Sequence, residues 1–172
     1  MFQLSESAQS ELLALSRTCL EEFLKQGRKV IEGTASSELH EFRGVFVTLH
    51  RRRQLCGCIG VPEPVYPLFR AVQECTISAA TADPRFAPVT AAALPEVRIE
   101  ISVLSPLEPV GDIDSIVIGK HGLILSDAGR RGLLLPQVPV EHGWDRETFL
   151  ERVQLEVRVK FRHPHWGENF WD

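Results

Sequence analysis

Apolar residues recur at helical spacing near the start of the chain. Ala8, Leu12, Leu15, Cys19 and Phe23 step by four, three, four and four, and Leu13, Leu20 and Leu24 widen the stripe. Such spacing gathers them on one face, so the pattern predicts an amphipathic helix. Gly27 is placed to end it, because helices commonly close on a residue in left-handed backbone. The rhythm then changes. Gly44 to Leu49 is rich in β-branched and aromatic side chains and predicts a strand. A second run, Leu55 to Gly60, follows the arginines Arg51 to Arg53. Strand, polar tip and strand predict a hairpin, although the tip lacks the usual Asn-Gly or Asp-Gly pair.

Pro62 and Pro64 close this segment, and helical spacing returns at Val65, Leu68, Phe69, Val72, Thr76 and Ala79. Pro67 suits the first turn of such a helix. Asp83 to Pro88 reads as a loop, with a proline near each end. Val97, Ile99, Ile101 and Val103 alternate with Arg98, Glu100, Ser102 and Leu104, which predicts a strand with one apolar face. Beyond Pro106 and Pro109, three short runs (Ile116 to Ile118, Leu123 to Leu125, Leu133 to Leu135) predict a small three-stranded lobe. Asp145 suits the N-cap of a short helix carrying Phe149, Leu150 and Val153. Leu155 to Phe161 alternates as a last strand would, and His163 to Asp172 reads as an irregular tail. Helices set apart from antiparallel runs indicate an α+β chain rather than alternating βαβ units.

Composition narrows the function. A chain of 172 residues, 44% of them hydrophobic, can bury a core without staples. Its formal net charge is -4. Residues 1–60 carry 8 basic and 7 acidic groups, and residues 61–120 carry 4 and 8. No segment has the basic excess that a phosphate backbone demands, so nucleic acid is not the expected partner. The run Arg51 to Arg53 reads as a solvated hairpin tip, with a phosphate patch as the alternative. No apolar run reaches membrane-spanning length, and the polar N-terminus lacks the order of a secretory signal. Cys19, Cys56, Cys58 and Cys75 are too few for a disulfide scaffold, so reduced thiols in the cytoplasm are expected.

Val47-Thr48-Leu49 followed by Leu55-x-Gly57-Cys58-Ile59-Gly60 resembles the signature of the AMMECR-type domain family. The likeness continues through Asp83-Pro84-Arg85-Phe86-x-Pro88, Glu100 to Leu104 and Gly119-x-His121-Gly122-Leu123. Leu135 to Val138 and Trp144-Asp145 complete it. There are two departures. Cys56 stands where the family pattern has Arg, and Gln154 to Arg158 replaces a Cys-x-Lys-Ala-Gly segment. The resemblance implies an α+β fold with a mostly antiparallel, mixed sheet, packed helices, a smaller β-rich lobe and a cleft between lobes. On that reading residues 1–172 are a single domain, with a main lobe of about 1–105 plus the C-terminal segment and a small lobe of about 106–145. Prokaryotic members are called AmmeMemoRadiSam system protein A. That name implies a Memo-type protein and a radical SAM protein as partners, and no reaction.

The candidate site residues follow from the shared blocks. Cys58, between Gly57 and Gly60, is the candidate nucleophile, with Glu100 or His121 as base. Gly57, Gly60, Asp83, Arg85, Ser102, Gln137 and Trp144 are candidate ligand contacts for a small molecule or peptide in the cleft. Each also has a structural reading. The glycines suit tight packing, Asp83 before Pro84 suits a turn, His121 suits a hairpin turn, and Trp144 suits core packing. Cys56 and Cys58, two apart, would share a strand face. Their spacing is not the usual one for zinc, and His163-Pro164-His165 lies in the tail, so no metal and no cofactor is expected. Two readings follow: a binding and accessory protein, or a cysteine-dependent enzyme.

Overall fold

A computed structural model of the chain describes residues 4–127 and 129–157. The chain divides into two compact units, Met1–Leu107 and Glu108–Asp172.

The first unit opens with helix α1, Glu6–Gln26. The Ser5 side chain accepts from the Ala8 N–H at its start, and Gly27 closes it with φ 68° and an N–H donated to the Phe23 carbonyl. Strands β1 (Val45–Arg51) and β2 (Gln54–Val61) form the expected hairpin. Helix α2, Leu68–Thr81, begins directly after Pro67. Strand β3, Val97–Val103, completes an antiparallel sheet in the order β2-β1-β3. Burial alternates along β1, with Val45, Val47 and Leu49 fully buried. Leu12, Leu20, Leu39, Leu68 and Val72 share that core. Two buried polar contacts tie it together. Ser16 and Thr76 share a 2.7 Å hydrogen bond between the helices. The Gln73 amide donates to the Glu32 carbonyl and accepts from the Glu32 N–H, both at 2.9 Å, which fixes the α1–β1 connection on α2.

The hairpin tip is a two-residue turn. Arg52 and Arg53 take φ 50° and 66°, so two arginines occupy the left-handed positions where Asn-Gly is usual. Each such non-glycine residue costs about 1–2 kcal/mol. Glu96 offsets part of that cost, since its carboxylate receives Arg51 Nε at 2.6 Å and Arg52 Nε at 3.0 Å. A bulge falls between Leu49 and His50 and makes Cys56 the extra residue of β2.

The second unit holds the hairpin β4 (Leu123–Asp127) and β5 (Arg130–Leu134), then helices α3 (Gln137–His142) and α4 (Arg146–Val157). Phe149, Val153, Ile116 and Leu123 are its buried core. Asp145 caps α4 as expected, its carboxylate accepting from the Thr148 N–H at 2.8 Å. The expected third strand at Ile116 to Ile118 is absent among the described residues. Val117 closes a turn on itself: its carbonyl accepts from Lys120 and His121, and its N–H donates to His121 Nδ1. Those groups are not available to a ladder, and Ile116 serves the core instead. The alternation from Leu155 is helical as far as Val157. The rest of that expected strand and the tail with His163 and His165 lie outside the described residues.

Candidate functional site

Directly opposed residues of an antiparallel pair share a sheet face. Register therefore places the candidate residues. Thr48 is flanked by Cys58 on β2 and Glu100 on β3. Phe46, one row along, is flanked by Gly60 and Ser102, and His50, one row the other way, by Leu55 and Arg98. This face is opposite the one that Val45, Val47 and Leu49 bury, and its residues are half-buried or exposed. Cys58, Gly60, Glu100 and Ser102 thus lie on one sheet face. Thr48 and Phe46, which the sequence did not single out, sit at their centre.

The Cys58 thiol accepts a 3.3 Å hydrogen bond from Thr48 Oγ1. Its backbone is held from outside the sheet by Asp83 and Arg85. Asp83 Oδ2 accepts from the Cys58 N–H at 2.9 Å, and Arg85 Nη2 donates to the Cys58 carbonyl at 3.2 Å. The pair is itself locked, with Arg85 Nε 3.0 Å from Oδ1 and Nη2 2.8 Å from Oδ2, while the Arg85 N–H reaches Oδ1 at 3.1 Å. Asp83 and Arg85 so occupy the open edge of β2 at Cys58, where a neighbouring strand would otherwise pair. The Asp83 side chain is 2% exposed and that of Arg85 58%. The guanidinium holds the Asp83 carboxyl well below the usual range against the opposing effect of burial, with help from the Cys58 N–H. Asp83 in turn raises Arg85.

The two glycines around Cys58 serve opposite faces. A Cβ on Gly60 would lie 2.3 Å from the Phe46 ring. A Cβ on Gly57 would lie 2.0 Å from the Ala79 carbonyl oxygen of α2, on the core side. Cys56 and Cys58 do not share a face, because the bulge intervenes. Cys56 packs beside the core and donates to the Leu49 carbonyl at 3.3 Å. Burial pushes its thiol up, and pushes Cys75 to about 11 and Cys19 to about 12. Among the described residues no three His, Cys, Asp or Glu side chains are grouped to hold a metal.

Glu100 also borders a groove of about 450 Å³ between α1 and β3. Leu4, Leu12, Leu13, Ile99 and Val103 line it with apolar side chains, and Gln9 and Glu100 add polar groups.

The second unit carries the other three candidates. The His121 ring accepts from the Val117 N–H at 3.2 Å and stabilises its own turn. Gln137 is the first residue of α3. Trp144 packs against the core of its unit, stacks on His142 with centroids 4.8 Å apart, and lies 5.3 Å from the Arg152 guanidinium. No helix among the described residues is long and apolar enough to cross a membrane.

Comparison with known proteins follows the same lines. The AMMECR1 family matches residues 13–169. A Methanopyrus kandleri protein is 44% identical over 164 residues, which cover 90% of this chain and 78% of the relative. A Methanocaldococcus jannaschii protein is 44% identical over 150 residues, covering 83% and 74%. The crystal structure of an uncharacterized protein from Pyrococcus horikoshii superposes with a TM-score of 0.86 at 38% identity, covering 92% of this chain and 83% of that one.

Proposed function

We propose, for a chain that belongs to the AMMECR1 family, a cytoplasmic binding and accessory role in which the polar face of β2-β1-β3 recognises a small molecule or a peptide segment. Its partners on this reading are a Memo-type protein and a radical SAM protein in a modification pathway. One observation carries the proposal: Glu100, the β3 end of the row Cys58-Thr48-Glu100, also lines the groove that Leu4, Leu12, Leu13, Ile99 and Val103 form between α1 and β3. Apolar lining with a few placed polar groups is what a binding site needs. The lack of a base at the thiol supports binding over nucleophilic attack: the Cys58 side chain meets the Thr48 hydroxyl and the Arg85 guanidinium, and among the described residues neither an imidazole nor a carboxylate bonds to its sulfur. Asp83, the nearby carboxylate, is committed to Arg85 and the Cys58 N–H.

The test is binding of the immobilised chain to each purified partner. Glu100 is exposed, so Glu100→Lys is expected to keep the fold while weakening binding about tenfold or more. Cys58→Ser keeps a hydrogen-bonding group opposite Thr48 and is expected to bind as the wild type does. Wild-type strength in Glu100→Lys, or no binding by the native chain, overturns the proposal.

A thiol titration separates the enzymatic alternative. In native alkylation mapped by mass across pH, Cys19 and Cys75 are expected to stay protected while Cys58 is modified. A Cys58 that reacts well below the free-thiol value of about 8.5 is an activated thiolate and favours the cysteine enzyme.

A further inference from the structure

We propose that the arginine tip of the β1–β2 hairpin, with Arg98 and Leu55 beside it, is a docking surface for an acidic segment of a partner protein. The proposal stands apart from the sheet-face reading and rests on different residues.

The first ground is the backbone. Both central residues of the turn are in left-handed conformation, where Asn-Gly would sit without strain. The chain keeps two long cationic side chains there instead. Glu96 does not account for them, since it pairs Arg51 and Arg52 only. Arg53 and Arg98 have no hydrogen-bond or ion-pair partner among the described residues. Four guanidiniums and one carboxylate leave the cluster three positive charges in excess. The Arg52 side chain is 73% exposed.

The second ground is what lies among the charges. Leu55 and Arg98 flank His50 on one sheet face, and Leu55 is 41% exposed. An exposed apolar side chain close in sequence to the arginine tip matches the make-up of protein interfaces, where Arg is enriched and contacts carboxylates with two parallel hydrogen bonds. Nucleic acid fits less well. The chain is net negative, and residues 1–60 are nearly balanced in charge. The next carboxylate on this face, Glu100, stands one row away and limits how far a long polyanion can follow the sheet.

The test uses the whole chain and a labelled peptide of alternating Glu and Leu, with a Lys-Leu peptide and single-stranded DNA as comparators. The Glu-Leu peptide is expected to bind, and to bind about tenfold or more weakly as salt rises from about 0.1 M to 1 M. Arg52→Asn combined with Arg53→Gly installs the preferred turn pair while removing two cations. It is expected to hold or raise the melting temperature and to weaken the peptide about tenfold. Arg98→Ala, which breaks no hydrogen bond or ion pair among the described residues, is expected to weaken it too. Three outcomes overturn the proposal: no binding by the native chain, unchanged binding in the Asn-Gly variant, or tighter binding of DNA than of the acidic peptide.

Discussion

Gly57→Ala is expected to cost this protein about 3 kcal/mol or more of stability. The added methyl would sit 2.0 Å from the Ala79 carbonyl oxygen and 2.9 Å from its carbon. Both are backbone atoms in the last turns of α2, so no side-chain rotation relieves the clash. Either the helix lifts from the sheet or β2 shifts, and each exposes Val45, Val47 and Val72, all fully buried. For a chain of this size the loss corresponds to about 6–12 °C in melting temperature. Gly33→Ala is the control, since nothing lies within 4 Å of its Cβ position. Thermal unfolding followed by circular dichroism reads both. A Gly57→Ala protein melting within about 2 °C of wild type would mean that α2 and β2 are not held as closely as this contact requires.

That clash also changes the meaning of the Gly-Cys-Ile-Gly block. Read along the chain, two glycines around a cysteine suggest close approach of a ligand or another chain, or tight packing. In three dimensions Gly57 makes room for a helix and Gly60 for the Phe46 ring. Neither use is visible in composition, because each depends on what packs across the sheet. The elements themselves were legible wherever the period was clear: the stripe from Ala8 to Phe23, the alternation from Val97 to Val103, and the hairpin around the arginines. The pairing within the hairpin was not. Counting back from a two-residue tip sets Thr48 against Gly57, whereas the bulge at Leu49 sets it against Cys58. One residue of slip exchanges the two faces of a strand. Thr48 could therefore not be found as the partner of the thiol from spacing alone.

The same holds for the pair Asp83-Arg85. A turn-forming Asp and an Arg seeking a carboxylate were both readable, but their shared target, the Cys58 backbone, lies in another element. In the second unit the apolar run at Ile116 to Ile118 suggested a strand for the opposite reason. Its hydrophobicity serves burial of Ile116, while the hydrogen-bonding groups of Val117 are used within a turn.

Asp83→Asn is the second change with a large expected effect. The carboxylate accepts four hydrogen bonds, from the Cys58 N–H and from the backbone and guanidinium of Arg85. An amide offers one acceptor oxygen, so at least one donor is left facing an N–H₂ group. Breaking a buried pair is costly, but the Arg85 side chain is 58% exposed and rehydrates. The expected loss is therefore about 2 kcal/mol at neutral pH. Its pH dependence has a defined sign. Arg85 holds the folded-state Asp83 carboxyl below its unfolded value. Such a group contributes its full stability above the unfolded pKa of about 3.9, and that contribution is lost as pH falls through the lower folded value. The gap between wild type and Asp83→Asn in urea unfolding is thus expected to be constant from about pH 7 to 5 and to narrow below about pH 4. A gap indifferent to acid would show that Asp83 acts through shape rather than charge. Because the same carboxylate fixes the Cys58 backbone, the substitution should also speed native alkylation of Cys58 relative to Cys19 and Cys75. Stability and thiol access would then move together, as they must if one clamp both closes the edge of β2 and presents the sheet face beside it.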